Sequence, residues 1–368
     1  MQRRDFLKLA ALGLLAPGTT LTLPARALSH DVRLLSAASD GDGHHFVIGL
    51  TADGEPRFRT PLPTRAHAVV AHPDGRHALA VSRRPGRVIT VVALDDGRVT
   101  HSIEAPEGRH FYGHAVFSPD RKRLFATENA FGDGGGRIGV YAVDDGYRRL
   151  SEWDSGGIGP HELLMRPDNT LVVANGGLRT HPDEGRRTLN PDHIEPSIVW
   201  LDASGNLLAR HQTAPEWRRS SIRHIAALRG GHIAIAMQFQ GDSRGEAPLV
   251  AIAHPRDGLR TLNVPDALQR RLRDYCGSVT AARDGGSFAV SAPRGNRILF
   301  WRADGEYLGA TRVEDGCGLA AGATAGEFLI SDGLGGLRRH DALTGTQTPL
   351  SPSALRFDNH LSSIVPPL

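Results

Sequence analysis

Cysteine and lysine are nearly missing from this 368-residue chain, which holds two of each: Cys276 and Cys317, Lys8 and Lys122. Arginine carries the positive charge everywhere else, a pattern that reads as coding bias and not as chemistry. Net charge is missing as well. Of 43 basic and 40 acidic side chains, Arg3, Arg4, Lys8 and Arg26 stand against Asp5 alone within residues 1–27, so the remainder carries 39 of each sign. That parity gives no electrostatic basis for binding nucleic acid or an anionic membrane. Outside the N-terminus no apolar run approaches the length needed to cross a bilayer. Neither the haem-attachment pattern C-x-x-C-H nor the zinc-protease pattern H-E-x-x-H occurs. Two other matches fail on context. GDSRG at 241–245 fits G-x-S-x-G but has no following helix to build a nucleophile elbow, and GGGRIG at 134–139 fits a nucleotide fingerprint but runs into a strand.

What is present begins at the N-terminus. Arg3-Arg4 precede Phe6-Leu7-Lys8, an apolar run to Ala16, and the small-residue site Ala25-Arg26-Ala27. Twin arginines, a short apolar region and an A-x-A site predict a twin-arginine export signal over 1–27, followed by one domain over 28–368 in the periplasm. The alternative is an uncleaved anchor, for which the apolar run is short.

The remainder repeats. Residues 67–105 read as four strands joined by Asp-Gly turns, and further units begin near 114, 161, 224, 277 and 318. Units of about 40–60 residues with four short strands predict an all-β fold, a β-propeller. The N-terminal segment enters out of phase, with RLLSAAS and HHFVIGL matching the second and third strands of a unit. HLSSIV at 360–365 supplies the missing innermost strand, so the sequence predicts seven blades with a C-terminal strand closing the N-terminal blade.

A histidine opens the apolar run of the first strand in five units: His67, His114 (one place off), His161, His224 and His360. This column predicts a ring of imidazoles near one mouth of the channel, able to hold a transition metal such as iron, zinc or copper. Coordination needs neutral imidazole, so binding is expected to fade below about pH 6. The alternative for each is a structural histidine repeated by duplication. The strand-to-strand topology puts the column on the same face as Glu128, Asn129, Asn175, Gln240 and Arg294 at strand ends, Glu162 and Arg223 beside the histidines, and a long insertion at 176–197 that includes His181, Arg186 and Asn190. These residues predict a binding floor and a lid, with ordinary turn chemistry as the alternative.

Cys276 and Cys317 precede the glycines that replace histidine in the two remaining units. Packed sheets stand about 10 Å apart, whereas a disulfide needs Cα atoms within about 7 Å, so pairing is not favoured although blades converge at the axis. Two free thiols would be soft metal donors.

The stretch NGGLRTHPDEGRRTLN, with SIRH at 221–224, QFQG at 238–241, SAPRG at 291–295 and DGCG at 315–318, resembles the twin-arginine-exported propellers classed as domain of unknown function 1513. The resemblance spans essentially all of the chain after the signal. It implies a periplasmic seven-bladed propeller, partners of imelysin-like and dihaem cytochrome-like type, and a role in iron or other metal handling. It supplies no reaction. Matched residues are Asn175, Gly176, Gly177, His181, Arg186, Asn190, Arg223, His224, Gln240, Arg294 and Cys317. Two functions follow as expectations: a binding or accessory propeller that engages metal through its histidine face, and a metal-dependent lactonase-like hydrolase. The second would use Glu128, Asn129, Glu162, Asn175 and Arg223 as ligands, base and oxyanion stabiliser.

Overall fold

Second strands such as Leu171–Asn175 and Ser287–Ala292 are buried at every position, as expected of short apolar runs covered on both faces. Fourth strands such as Val99–Glu104 are mostly exposed. In the computed structural model, which describes residues 31–185 and 187–364, these runs form seven four-stranded antiparallel sheets. The export signal expected over 1–27, Arg186 and Val365 lie outside the described residues. No helix among the described residues is long and apolar enough to cross a membrane.

Numbered along the chain, blades 1–7 have as innermost strands Arg356–Ser363, Ala66–Ala71, Arg109–Phe117, Pro160–Met165, Ser220–Ala227, Ser278–Ala281 and Gly316–Ala321. Blade 1 is completed as the phase offset predicts: Arg356–Ser363 pairs antiparallel with Leu34–Ser39, from Leu34 opposite Ser363 to Ser39 opposite Arg356. Seven apolar clusters each join neighbouring blades. Two of them hold blade 1 against both neighbours, with Leu34, Phe357 and Leu361 packing toward blade 7 and Leu35, Val47 and Ile364 toward blade 2.

Four of the six turns between first and second strands share one device. Asp74, Asp120, Asp168 and Asp284 each accept a hydrogen bond from the amide two residues on. The intervening residue, Gly75, Arg121, Asn169 or Gly285, takes a left-handed φ of 63–67°, the geometry that Asx turns favour. These tight hairpins occupy one face. The other face carries the longer connections, including the blade 4 insertion between Asn175 and Ser197.

Candidate metal centre at the propeller axis

The first strands are not regular where the histidines sit. In six of the seven blades the pairing of first and second strands breaks register at the histidine column, and only Ser278–Ala281 pairs without a shift. Bulges re-aim side chains, and here they turn imidazoles onto the axis. His67 and His161 are themselves the extra residues of blades 2 and 4, and Arg223 is the extra residue beside His224 in blade 5. Blades 1 and 3 carry longer bulges, with Asp358–His360 opposite Ala37 and Tyr112–His114 opposite Thr127.

The five rings meet in one cluster. Nine ring pairs have centroids between 4.5 and 5.9 Å apart. Gly113 permits this: at φ 116° a Cβ there would lie 2.6 Å from Cβ of His67. The cluster plugs the channel between two cavities. His67, His161 and His224 form the floor of a cavity of about 570 Å³ on the loop face. His114 and His360 line one of about 620 Å³ on the hairpin side, together with Glu162. The expectation that all five open onto the loop face is therefore corrected. The two that face the other way are the two on the longer bulges.

Glu162 organises the plug. Its carboxylate accepts from Nδ1 of His224 at 2.9 Å and from the amide of Ile225 at 3.2 Å, and lies 3.5 Å from Nδ1 of His114. A carboxylate on Nδ1 fixes the tautomer and leaves the Nε2 lone pair free, the arrangement found behind metal-binding histidines. In both residues Nε2 is buried and has no hydrogen-bond partner. The Nε2 of His67 lies 3.3 Å from Nε2 of both His161 and His360. One proton or lone pair at that atom satisfies one such contact well, not both. Nitrogens about 2.0–2.1 Å from a tetrahedral ion stand about 3.3 Å apart. Two histidine triads, His67–His114–His161 and His67–His224–His360, and a mixed group, His114–Glu162–His224, each bring one ligand atom per residue within 4.8 Å of the others. The donor set thus fits a borderline divalent metal, with three nitrogens and an open position.

Burial pushes His224 and His360 down to about 3, assisted by Arg223 for the first and by His224 for the second, and holds His67, His114 and His161 well below the ordinary imidazole value. The threshold for protonating these ligands thus moves well below that of free imidazole, about 6.5. Burial acts oppositely on Glu162, which rises to about 7. In the metal-free protein the five imidazoles favour the fold above about pH 6.5, and that stability is lost as pH falls, because the unfolded chain takes up the protons first. Glu162 gains stability in the same descent, one carboxyl against five imidazoles. The melting temperature of the metal-free protein is therefore expected to fall steadily from about pH 7 to about pH 4.5. A flat profile would show the rings to be solvated.

Of the other expected site residues, Arg223, Gln240 and Arg294 line the loop-face cavity. Glu128 does not. It is fully buried within blade 3, accepting from Tyr141 Oη at 2.5 Å and from Arg149 Nη2 at 2.6 Å. Asn129 donates to the Thr180 carbonyl and contacts His110 Nε2, and Asn175 donates to the Ser155 carbonyl and to Ser197 Oγ. Glu128 and Asn129 are thus occupied within the fold, whereas Oδ1 of Asn175 is buried without a hydrogen-bond partner. Asn190 folds the insertion on itself, donating to Gly177 and His193 carbonyls and accepting from the Arg179 amide, while His181 caps the short helix Pro182–Glu184. The insertion is pinned to blade 3 through Thr180 and lends Leu178 and Thr188 to the cavity wall.

Cys276 and Cys317 are free and buried, and burial pushes the Cys276 thiol up to about 12 and that of Cys317 further. Cys276 packs in the apolar core between blades 5 and 6, and Cys317 Sγ lies 3.3 Å from the Asp358 carbonyl. Neither joins a metal group. A separate group, Asp40, Asp42 and His44, is an exposed turn whose bonds close on Asp40. The sequence did not single out Arg83, Arg84, Tyr112, Tyr275 and Asn359, which also line the loop-face cavity. Three of them lie within two residues of the histidine column, and that proximity was the available signal.

The sequence matches the family described as "Protein of unknown function (DUF1513)" over residues 60–364. No curated protein matches it. Solved structures share the fold, and two illustrate the likeness. A chain of hydrazine synthase from Kuenenia stuttgartiensis superposes with a TM-score of 0.58 at 15% identity, covering 90% of this chain and 99% of that one. A functionally unknown protein from Desulfotomaculum acetoxidans DSM 771 gives 0.58 at 10% identity with the same coverage. At these identities the likeness is one of architecture.

Proposed function

We propose that this chain, which belongs to the DUF1513 family of proteins of unknown function, is a periplasmic binding or accessory propeller that takes one transition-metal ion, iron, zinc or copper, into the histidine plug at its axis. The observation that carries the proposal is Glu162 holding His224, and facing His114, through Nδ1 while their buried Nε2 atoms stand without partners. A buried polar atom left unsatisfied costs about 1–3 kcal/mol, and two such atoms aimed into a cluster of imidazoles are explained by a ligand that accepts their lone pairs. Such an ion would reach solvent through the loop-face cavity, whose floor is His67, His161 and His224. Arg3-Arg4 and Ala25-Arg26-Ala27 support export by the twin-arginine pathway, a route that would allow the metal to be loaded before export. Imelysin-like or cytochrome-like proteins of the same compartment are the proposed partners.

Calorimetric titration of the metal-free protein with zinc, copper(II) and anaerobic iron(II) tests this directly. The expected result is one ion per chain with an affinity of about micromolar or tighter. Absence of binding for all three would return the histidines to a structural role.

A further inference from the structure

The loop-face cavity above the plug is lined by the guanidinium groups of Arg83, Arg84, Arg223 and Arg294 and by two carboxylates, Asp274 and Asp315; Arg83 lies 3.9 Å from the buried Asp358 carboxylate. Asp274 is already engaged by the amide and hydroxyl of Ser243, and Asp315 is exposed at the rim. Arg223 is only 7% exposed, its Nε has no hydrogen-bond partner, and its one side-chain contact is a 3.5 Å approach to His161 Nδ1. Among the described residues no carboxylate pairs with it. Arg294 lies over the Tyr275 ring, 4.3 Å from its centroid, and is likewise without a carboxylate.

A buried guanidinium without a counter-charge is costly, and its planar fork matches carboxylate geometry. We propose that this cavity binds a small polycarboxylate, one carboxylate seated on Arg223 and another reaching Arg294. A bare inorganic oxyanion would leave most of the roughly 570 Å³ unfilled. Tyr112, Leu178, Phe239 and Tyr275 supply walls for a carbon skeleton. The proposal stands on the cavity alone and does not require metal in the plug.

Citrate titrated into the metal-free full chain at low ionic strength, followed by calorimetry and thermal shift, is the test. The wild type is expected to bind and to gain melting temperature, with inorganic phosphate and sulfate at least about 10-fold weaker. Arg223→Gln is expected to bind citrate about 10- to 100-fold more weakly and to lose the citrate-dependent shift, while melting no lower than wild type without ligand because a buried unpaired charge has been removed. Arg223→Lys should recover part of the affinity. No citrate binding up to about 10 mM, equal binding by Arg223→Gln, or phosphate binding as tight as citrate would each overturn the proposal. Because no metal is present, none of these outcomes depends on the histidine plug.

Discussion

Replacing His67 with alanine is expected to weaken transition-metal binding by more than about 100-fold, since losing merely the carboxylate behind a coordinating histidine costs about 10- to 100-fold. His67 is the member shared by both histidine triads, and its Nε2 is the atom that meets two other ring nitrogens at 3.3 Å. On the loop face the remaining polar groups are mostly guanidinium groups and amides, which are poor replacements for an imidazole. Glu162→Gln should fall in the lower range. It keeps a hydrogen-bonding side chain but loses the charge that favours Nδ1–H on His224 and His114. His101→Ala, on the exposed outer strand of blade 2, is the control and should bind as wild type. Calorimetry on the three variants checks the ranking, with circular dichroism showing that the propeller persists. Wild-type affinity in His67→Ala would remove the ion from both histidine triads and leave the His114–Glu162–His224 group as its site.

The residues that made the fold legible in sequence differ in kind from those that make the site. Blade number followed from strand period and Asp-Gly turns, which are local. Ring closure followed from one phase offset, RLLSAAS without an inner partner, answered by His360 and Leu361 at the other end of the chain. The histidine column was legible because duplication keeps register. Its orientation was not, because bulge length belongs to the pairing of two strands. The three-residue bulges at Tyr112–His114 and Asp358–His360 turn those imidazoles toward the hairpin side, whereas the shorter bulges of blades 2, 4 and 5 leave theirs on the loop side. Glu128 shows the same limit. A carboxylate at the end of a second strand reads alike whether it faces a cavity or the sheet, and Tyr141 and Arg149 on later strands of the same blade decide the matter. Glu162 was legible as a carboxylate near the histidines, but its contact with Nδ1 atoms from two other blades needed the closed ring.

Truncation after Leu355 is expected to lower the melting temperature by at least about 10 °C or abolish the cooperative transition. The lost strand carries Phe357 and Leu361, 5% and 4% exposed, and leads to Ile364 at 6%. At about 1.5–3 kcal/mol for each buried side chain, the three together approach the whole stability of a typical domain. Leu34–Ser39 would also become an open inner edge. A synthetic peptide spanning 356–364 should restore the transition in proportion to its concentration, as mass action requires of a segment that binds only the folded ring. The same strand brings His360 to the plug, so truncation should remove metal binding and stability together. A peptide carrying His360→Ala separates them: it should restore the melting transition while leaving the His67–His224–His360 triad incomplete and metal affinity low. An unchanged melting temperature on truncation would contradict ring closure. Full metal affinity with the alanine peptide would instead assign the ion to a group without His360, either His67–His114–His161 or His114–Glu162–His224.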